Sequence, residues 1–266
     1  MGCGQPGYEY DYHVHTYYSA CGKEDAVPAA VLQRAAECGL KAIGFADHCW
    51  SDADLALVER LRTELLAQGM DDWRTPAQGP VRYFVGMEAQ MNAPDKPTIS
   101  ADAARELDFV LMATNHYHLE VVENPRECTP EAFAEHSLAM MEGAIALGYA
   151  DVIAHPFTPL GQRPFTHRDI FEAMPEGRLL GCLDSAARNG VAVELNPGKL
   201  HAHYDFLSVF YRMCLDRGVR IALGSDSHSV TTLGYDAERT PPARLWRDLG
   251  ITDAHLWHPR AAAGRT

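Results

Sequence analysis

The chain has no run of apolar residues approaching the roughly 20 that a membrane-spanning helix needs, so no bilayer-crossing segment and no membrane partner are expected. Its opening, MGCGQPGYEY, has no positively charged stretch leading into an apolar one. That is not the pattern of a secretory leader, and it points to a cytoplasmic protein. Basic residues are scarce: 23 Lys and Arg stand against 36 Asp and Glu, for a formal net charge of −13, and no Lys/Arg-rich run offsets it locally. A surface of that sign repels polyanions, which argues against long nucleic acid as a partner but not against a small phosphate drawn to metals in a pocket. The seven cysteines (Cys3, Cys21, Cys38, Cys49, Cys128, Cys182 and Cys214) contain no C-x-x-C pair. A disulfide framework, a zinc ribbon and a thioredoxin-like centre are therefore disfavoured. No G-x-G-x-x-G follows the first apolar run, so an open dinucleotide-binding sheet lacks its marker.

Histidine, in contrast, is abundant, with 13 residues. At 266 residues and 47% hydrophobic content, the chain can bury one large core, and a single domain over 1–266 is expected. Apolar-rich runs that read as strands (YEYDYHVH, KAIGFAD, VRYFVGMEA, DFVLMATN, DVIAHP, VAVELN, RIALGSD) alternate with helix-like segments. Gly39, Gly69, Gly148, Gly190 and Gly218 stand where helices would stop. The alternation predicts βα units with a parallel sheet, and seven strands predict a distorted (β/α) barrel resembling a TIM barrel, one strand short.

The polar residues at the C-terminal tips of these strands define the candidate site. They are His13 and His15, then Asp47 and His48, Glu88, His116, His155, Glu194 with Asn196, and finally Asp226 with His228. His-x-His alone is weak evidence, although i and i+2 on a strand do face one side. In a parallel barrel, however, all strand tips meet at one mouth. Six imidazoles with the carboxylates of Glu88 and Asp226 are a mixed N/O donor set suited to zinc, manganese or iron. Each residue has an ordinary structural explanation by itself, but a shared position at every tip does not.

DYHVHTYYSACG, GFADH, GMEAQM, ATNHYH, IAHPF, ELNPG and GSDSH, in that order, resemble the PHP (polymerase and histidinol phosphatase) superfamily. The similarity runs from about residue 9 to 228, leaving a C-terminal helix and tail over 229–266, and the length resembles the stand-alone histidinol-phosphatase-like branch. The resemblance implies a metal site at the C-terminal mouth of a seven-stranded barrel, with about two or three divalent metals (Zn, Mn or Fe) per chain. It places His13, His15, Glu88 and Asp226 on one metal. Glu88 bridges to a second, held with His48 or with His116 and His155, and His228 fills the remaining position. Where the family often has a further His or Asp, this chain has Cys21. Either its thiolate binds zinc, or a third metal is weak or absent.

The implied activity is metal-dependent hydrolysis of a small phosphomonoester by a metal-bridging hydroxide, with L-histidinol phosphate the first substrate to consider. Asp226 and His228 carry the catalytic roles, with His228 or a metal-bound water as proton donor to the leaving alkoxide. Lys199 and Arg163 are candidates for a phosphate oxygen. Asn196, His201 and His203 are candidates for substrate contact, and Glu194 or Glu120 for a cationic amine. A phosphodiesterase or nuclease acting on small nucleotides, or a phosphatase for another sugar or alcohol phosphate, would use the same metals. An amidohydrolase-type deaminase also opens with His-x-His, but it often places a bridging lysine where this chain has Asn115-His116. A non-catalytic domain would be expected to have lost ligands. The sequence assigns no oligomeric state.

Overall fold

The computed structural model describes residues 9–67, 81–157, 160–234 and 248–259. In chain order the elements are β1 (Tyr10–Val14), α1 (Pro28–Glu37), β2 (Ala42–Cys49), α2 (Leu55–Ala67), β3 (Arg82–Ala93), β4 (Lys96–Pro97), α3 (Ala101–Arg105) and β5 (Val110–Ala113). There follow α4 (Pro130–Ala146), β6 (Val152–Ala154), α5 (His167–Ala173), α6 (Glu176–Asn189), β7 (Ala192–Leu195), α7 (Pro197–Ala202), α8 (Tyr204–Asp216) and β8 (Ile221–Leu223). Among the described residues, seven strands pair in parallel in the order β1-β2-β3-β5-β6-β7-β8, and the two-residue β4 folds back antiparallel on the end of β3. The ring is nearly closed. The residues after β8 return to β1, with His15 N donating to Ser227 O (2.8 Å) and Asp226 N donating to His13 O (2.9 Å). This is the distorted TIM-like barrel that the strand–helix alternation predicts.

Four of the five expected helix stops, Gly39, Gly148, Gly190 and Gly218, adopt φ between 70° and 75°, where a side chain would be strained. The fifth, Gly69, lies outside the described residues. The short helices α3, α5 and α7 were not expected from the sequence. Of the expected C-terminal helix, 235–247 and 260–266 lie outside the described residues. The rest of that region contains 3-10 turns at Val230–Thr232 and Asp253–His255.

Two cores hold the barrel. The larger lies between the sheet and the surrounding helices. The smaller fills the lumen, where Tyr12, Phe84, Phe109 and Trp257 are packed among Ala42, Ala46, Ala113, Ala154, Ala192 and Ala222. The alanines leave room for the aromatic rings, an alternation of small and large residues that a narrow barrel requires. Trp257 seals the floor, where its backbone N donates to Ile221 O (2.8 Å) and its ring meets Tyr12 edge-on at 5.6 Å.

Strand β1 carries a bulge. Asp11 pairs with Ile43 and Val14 with Phe45, so two residues, Tyr12 and His13, stand opposite the single Gly44. The extra residue turns both of them inward. Tyr12 thus fills the floor while His13 and His15 face the mouth. On β3 the inward positions are Phe84, Gly86 and Glu88. A Cβ on Gly86 would lie 2.5 Å from Phe109 O and 2.7 Å from its ring. Gly86→Ala should therefore destabilise the fold by about 1–3 kcal/mol through overpacking, read as a lowered urea midpoint with an unchanged slope.

Candidate metal centre

The inward period of the strands brings the tip residues together. His13 and His15 are fully buried and Glu88 is 2% exposed. His13 Nε2 lies 3.1 Å from His15 Nε2 and 3.4 Å from Glu88 Oε2. His15 Nε2 lies 3.5 Å from the same oxygen and 3.2 Å from Asp226 Oδ1. Donor atoms about 2 Å from one tetrahedral zinc are separated by little more than 3 Å, so His13, His15 and Glu88 are spaced as ligands of one ion, with Asp226 beside the two histidines. The other Glu88 oxygen, Oε1, faces His155 Nε2 at 2.7 Å and His116 Nε2 at 3.5 Å. Glu88 thus offers one oxygen to each of two imidazole groups, the geometry of a bridging carboxylate. His48 Nδ1 is 2.8 Å from Glu88 Oε2, yet that oxygen is buried with no aligned hydrogen bond. An orphaned carboxylate oxygen among imidazole nitrogens fits a divalent cation. The groups spaced to hold an ion include His13/His15/Glu88, Glu88/His116/His155 and His15/His48/His228.

Buried partners set the tautomers of the first two histidines. Glu194 Oε1 lies 2.7 Å from His13 Nδ1, and a carboxylate only accepts, so Nδ1 donates and Nε2 keeps its lone pair for a metal. The second Glu194 oxygen accepts from the His155 backbone N. Ser19 Oγ donates to Asp47 Oδ1 (2.6 Å) and meets His15 Nδ1 at 3.1 Å. The hydroxyl proton is therefore used, and His15 must donate. Glu194 was expected near the mouth as a partner for a substrate amine, but it is 1% exposed and clamps two of the histidines. Its place on the inward face of β7, two residues before Asn196, was the available signal. Ser19 had none.

Burial pushes the His13 pKa down, but Glu194, Glu88 and Asp226 outweigh it and hold the pKa well above the ordinary value. His48 behaves alike: burial opposes the charge, and Glu88 and Cys21 raise its pKa to about 10. Burial opposes ionisation of Glu88 and Asp226 too, and the surrounding imidazoles hold both well below the carboxylate range. His15 and His116 differ, both lowered by burial, His116 to about 3. Two site residues also carry backbone strain, with φ at 25° for His155 and 57° for Asp226. Such conformations cost about 1–3 kcal/mol each and tend to be kept at functional sites.

At the outer edge, His228 Nδ1 donates to the Asp226 carbonyl (2.8 Å) and its ring stacks on His15 at 4.2 Å. Cys21 is exposed. Burial pushes its thiol up, but hydrogen bonds with His228 and His48 bring its pKa to about 6. Arg163 rests over the Phe133 ring and donates to Tyr117 O (3.1 Å) and Asn124 Oδ1 (2.7 Å). Asn196 caps α7 by accepting from Lys199 N (3.1 Å) and donates to Ser225 O (3.0 Å), so both its polar ends are engaged. The His203 and His167 rings are 5.2 Å apart. Burial, then His203 and Lys199, lower His167 to about 4, so its ring is neutral near pH 7. His201 belongs to α7, and its side chain lies outside the described residues. Glu120 is exposed on the loop after β5.

A parallel barrel with this donor set at its C-terminal mouth defines a metal-dependent hydrolase. Residues 11–198, more than half of the chain, match the PHP domain model, and the chain belongs to that family. It is 26% identical over 244 residues to a "Probable histidinol-phosphatase" of Deinococcus radiodurans, covering 85% of this chain and 88% of that protein. A "Probable phosphatase" of Acetivibrio thermocellus is 29% identical over 161 residues, 58% of this chain and 56% of that one. Among solved structures, histidinol phosphate phosphatase of Lactococcus lactis, in complex with zinc, L-histidinol and phosphate, superposes with a TM-score of 0.65 at 18% identity. The match covers 92% of this chain and 95% of that one.

Glu194→Gln leaves one oxygen to serve two donors, His13 Nδ1 and His155 N. It should weaken metal binding by about 10–100-fold, measured by chelator competition. Because His13 and His48 are protonated near neutral pH without metal, cations must displace those protons, so affinity should rise with pH. Calorimetry at pH 7 in buffers of different ionisation enthalpy should show roughly one proton or more released per metal bound. No buffer dependence would contradict the charged state of the two imidazoles.

Proposed function

We propose that the chain hydrolyses a small phosphomonoester, with L-histidinol phosphate as the leading substrate. The observation that carries the reaction class is the buried Glu88 carboxylate, with one oxygen facing His13, His15 and His48 and the other facing His116 and His155. Divalent metals held there, with zinc, manganese and iron all suited to the donors, would supply an activated water and neutralise the phosphoryl oxygens that gain charge. The protein's part is placement. Glu194 and Ser19 aim the Nε2 atoms of His13 and His15, and the strained backbone at His155 and Asp226 brings both side chains to the common centre. Lys199, on α7 just after β7, is the positive charge that would favour an anionic substrate over the acidic remainder of the surface.

His228, expected to protonate the leaving alkoxide, has Nδ1 committed to the Asp226 carbonyl and its ring against Cys21. That is a ligand's setting, and solvent at the open mouth is the better proton source. The choice of histidinol phosphate leans on the Deinococcus relative and on the substrate named for the Lactococcus enzyme. The deciding measurement is kcat/KM on metal-loaded protein for L-histidinol phosphate, generic monoesters and a phosphodiester. A value above about 10⁴ M⁻¹s⁻¹ for histidinol phosphate, well above the others, is expected. Preference for another monoester or a diester would keep the centre and replace the substrate, whereas no turnover of any ester would remove the phosphoesterase reading.

A further inference from the structure

We infer that the Trp50 indole is the surface on which the leaving group of the substrate stacks. It gives the centre a preference for phosphomonoesters whose alcohol carries a flat unsaturated ring, such as an imidazole or a phenyl, over plain alkyl esters. The inference rests on reading the barrel mouth as a phosphoesterase centre, and it names a specificity-determining residue outside the metal ligands.

Trp50 is the first residue after β2, directly beyond the tip that supplies His48. Its ring centroid lies 5.2 Å from that of His48, with the two planes inclined by 32°, yet the residue is 43% exposed. Leaving that much indole in water forgoes the burial that usually stabilises a tryptophan. Among the described residues, the other large exposed apolar side chains are Tyr17, Leu66, Val121 and Val209. Tyr17, the one aromatic among them, stacks on Tyr18 and donates to Glu64 instead.

The backbone that carries the indole is fixed. Trp50 N and Ser51 N both donate to Asp54 Oδ2 (2.8 and 3.0 Å). Thr98 Oγ1 donates to the Cys49 carbonyl (2.8 Å), and Ser100 N donates to Asp52 Oδ1 (2.8 Å). The turn is thus tied to its own aspartate and to the segment between β4 and α3, which lowers the ordering cost of a stacked contact.

The indole also borders the reacting centre, because His48 approaches Glu88 within 2.8 Å. On the other side of β3, the exposed His118 imidazole meets His116 edge-on at 5.5 Å. A ring therefore tops the mouth on the β2 and β5 sides alike. A flat leaving group gains both burial and stacking on the indole, whereas an alkyl group gains burial alone.

The test compares phenylphosphonate with methylphosphonate, two non-hydrolysable anions, by calorimetry on metal-loaded protein. Wild type should bind the phenyl compound more tightly. Trp50→Ala should reduce that preference by about 3–10-fold with its metal content intact, Trp50→Phe should retain most of it, and Leu66→Ala should retain it all. No phenyl preference in wild type, an unchanged preference in Trp50→Ala, or a loss of bound metal in that variant would overturn the inference. Turnover of phenyl phosphate and glycerol 1-phosphate on the same samples separates the two readings. A Trp50-dependent preference without turnover of either ester supports the stacking surface and removes the phosphatase, and turnover without the preference does the reverse.

Discussion

The Glu88 carboxylate is buried, ionised and shared, and the rest of the centre depends on that combination. An isolated charge at such a depth costs several kcal/mol to desolvate, and among the described residues Glu88 has only imidazoles as ion-pair partners, with no Lys or Arg. Imidazoles compensate it instead: His13, His15 and His48 approach one oxygen, and His116 and His155 the other. Without metal, that compensation requires protons on some of the rings. With metal, the same lone pairs turn to the cation. The centre is therefore built around one constant negative charge and an exchangeable positive one.

The barrel makes the arrangement mechanically possible. Every strand that feeds the mouth also lines the lumen, so the inward face of each one has two jobs. On β2 it runs Ala42, Gly44, Ala46 and then His48; on β8 and just beyond it runs Ala222, Gly224 and then Asp226. Small residues low in the barrel admit the rings of Tyr12, Phe84, Phe109 and Trp257, which provide a dry floor. Polar residues high in the barrel meet above that floor, where low local dielectric strengthens each contact. The bulge at Tyr12 and His13 lets β1 contribute an aromatic ring to the floor and two imidazoles to the mouth within four residues.

Much of this was legible beforehand, and the reasons differ by feature. The strand tips could be read because a parallel barrel converts chain order into position, so His48, Glu88, His116, His155 and Asp226 needed only their strands to be identified. The bulge was hidden, because His-x-His already satisfies the period-2 rule and nothing local marks Tyr12 as also facing inward. Helices α3, α5 and α7 are too short for a 3.6-residue period to show. The role of Glu194 was misjudged because a carboxylate on the ligand face reads equally as a ligand, a substrate contact or a support. Only its 2.7 Å approach to His13 Nδ1 separates these. Lys199 and Arg163 illustrate the converse, since a cation on a tip loop has many directions open to it. Arg163 spends its guanidinium on the loop after β5.

Strain and metal uptake are connected by the same geometry. His155 and Asp226 hold left-handed backbone conformations at about 1–3 kcal/mol each. Neither is a glycine, so the cost is borne for where the side chains end up. The ring closure helps to hold them: Asp226 N donates to His13 O, and His155 N donates to Glu194. A cation that binds the folded mouth and not the unfolded chain adds RT ln(1 + [M]/Kd), about 2.7 kcal/mol at a hundredfold excess over Kd, which is comparable to the strain. Metal occupancy and the stability of the upper barrel are therefore two aspects of one equilibrium, and a ligand variant is expected to loosen the strand tips as well as release the ion.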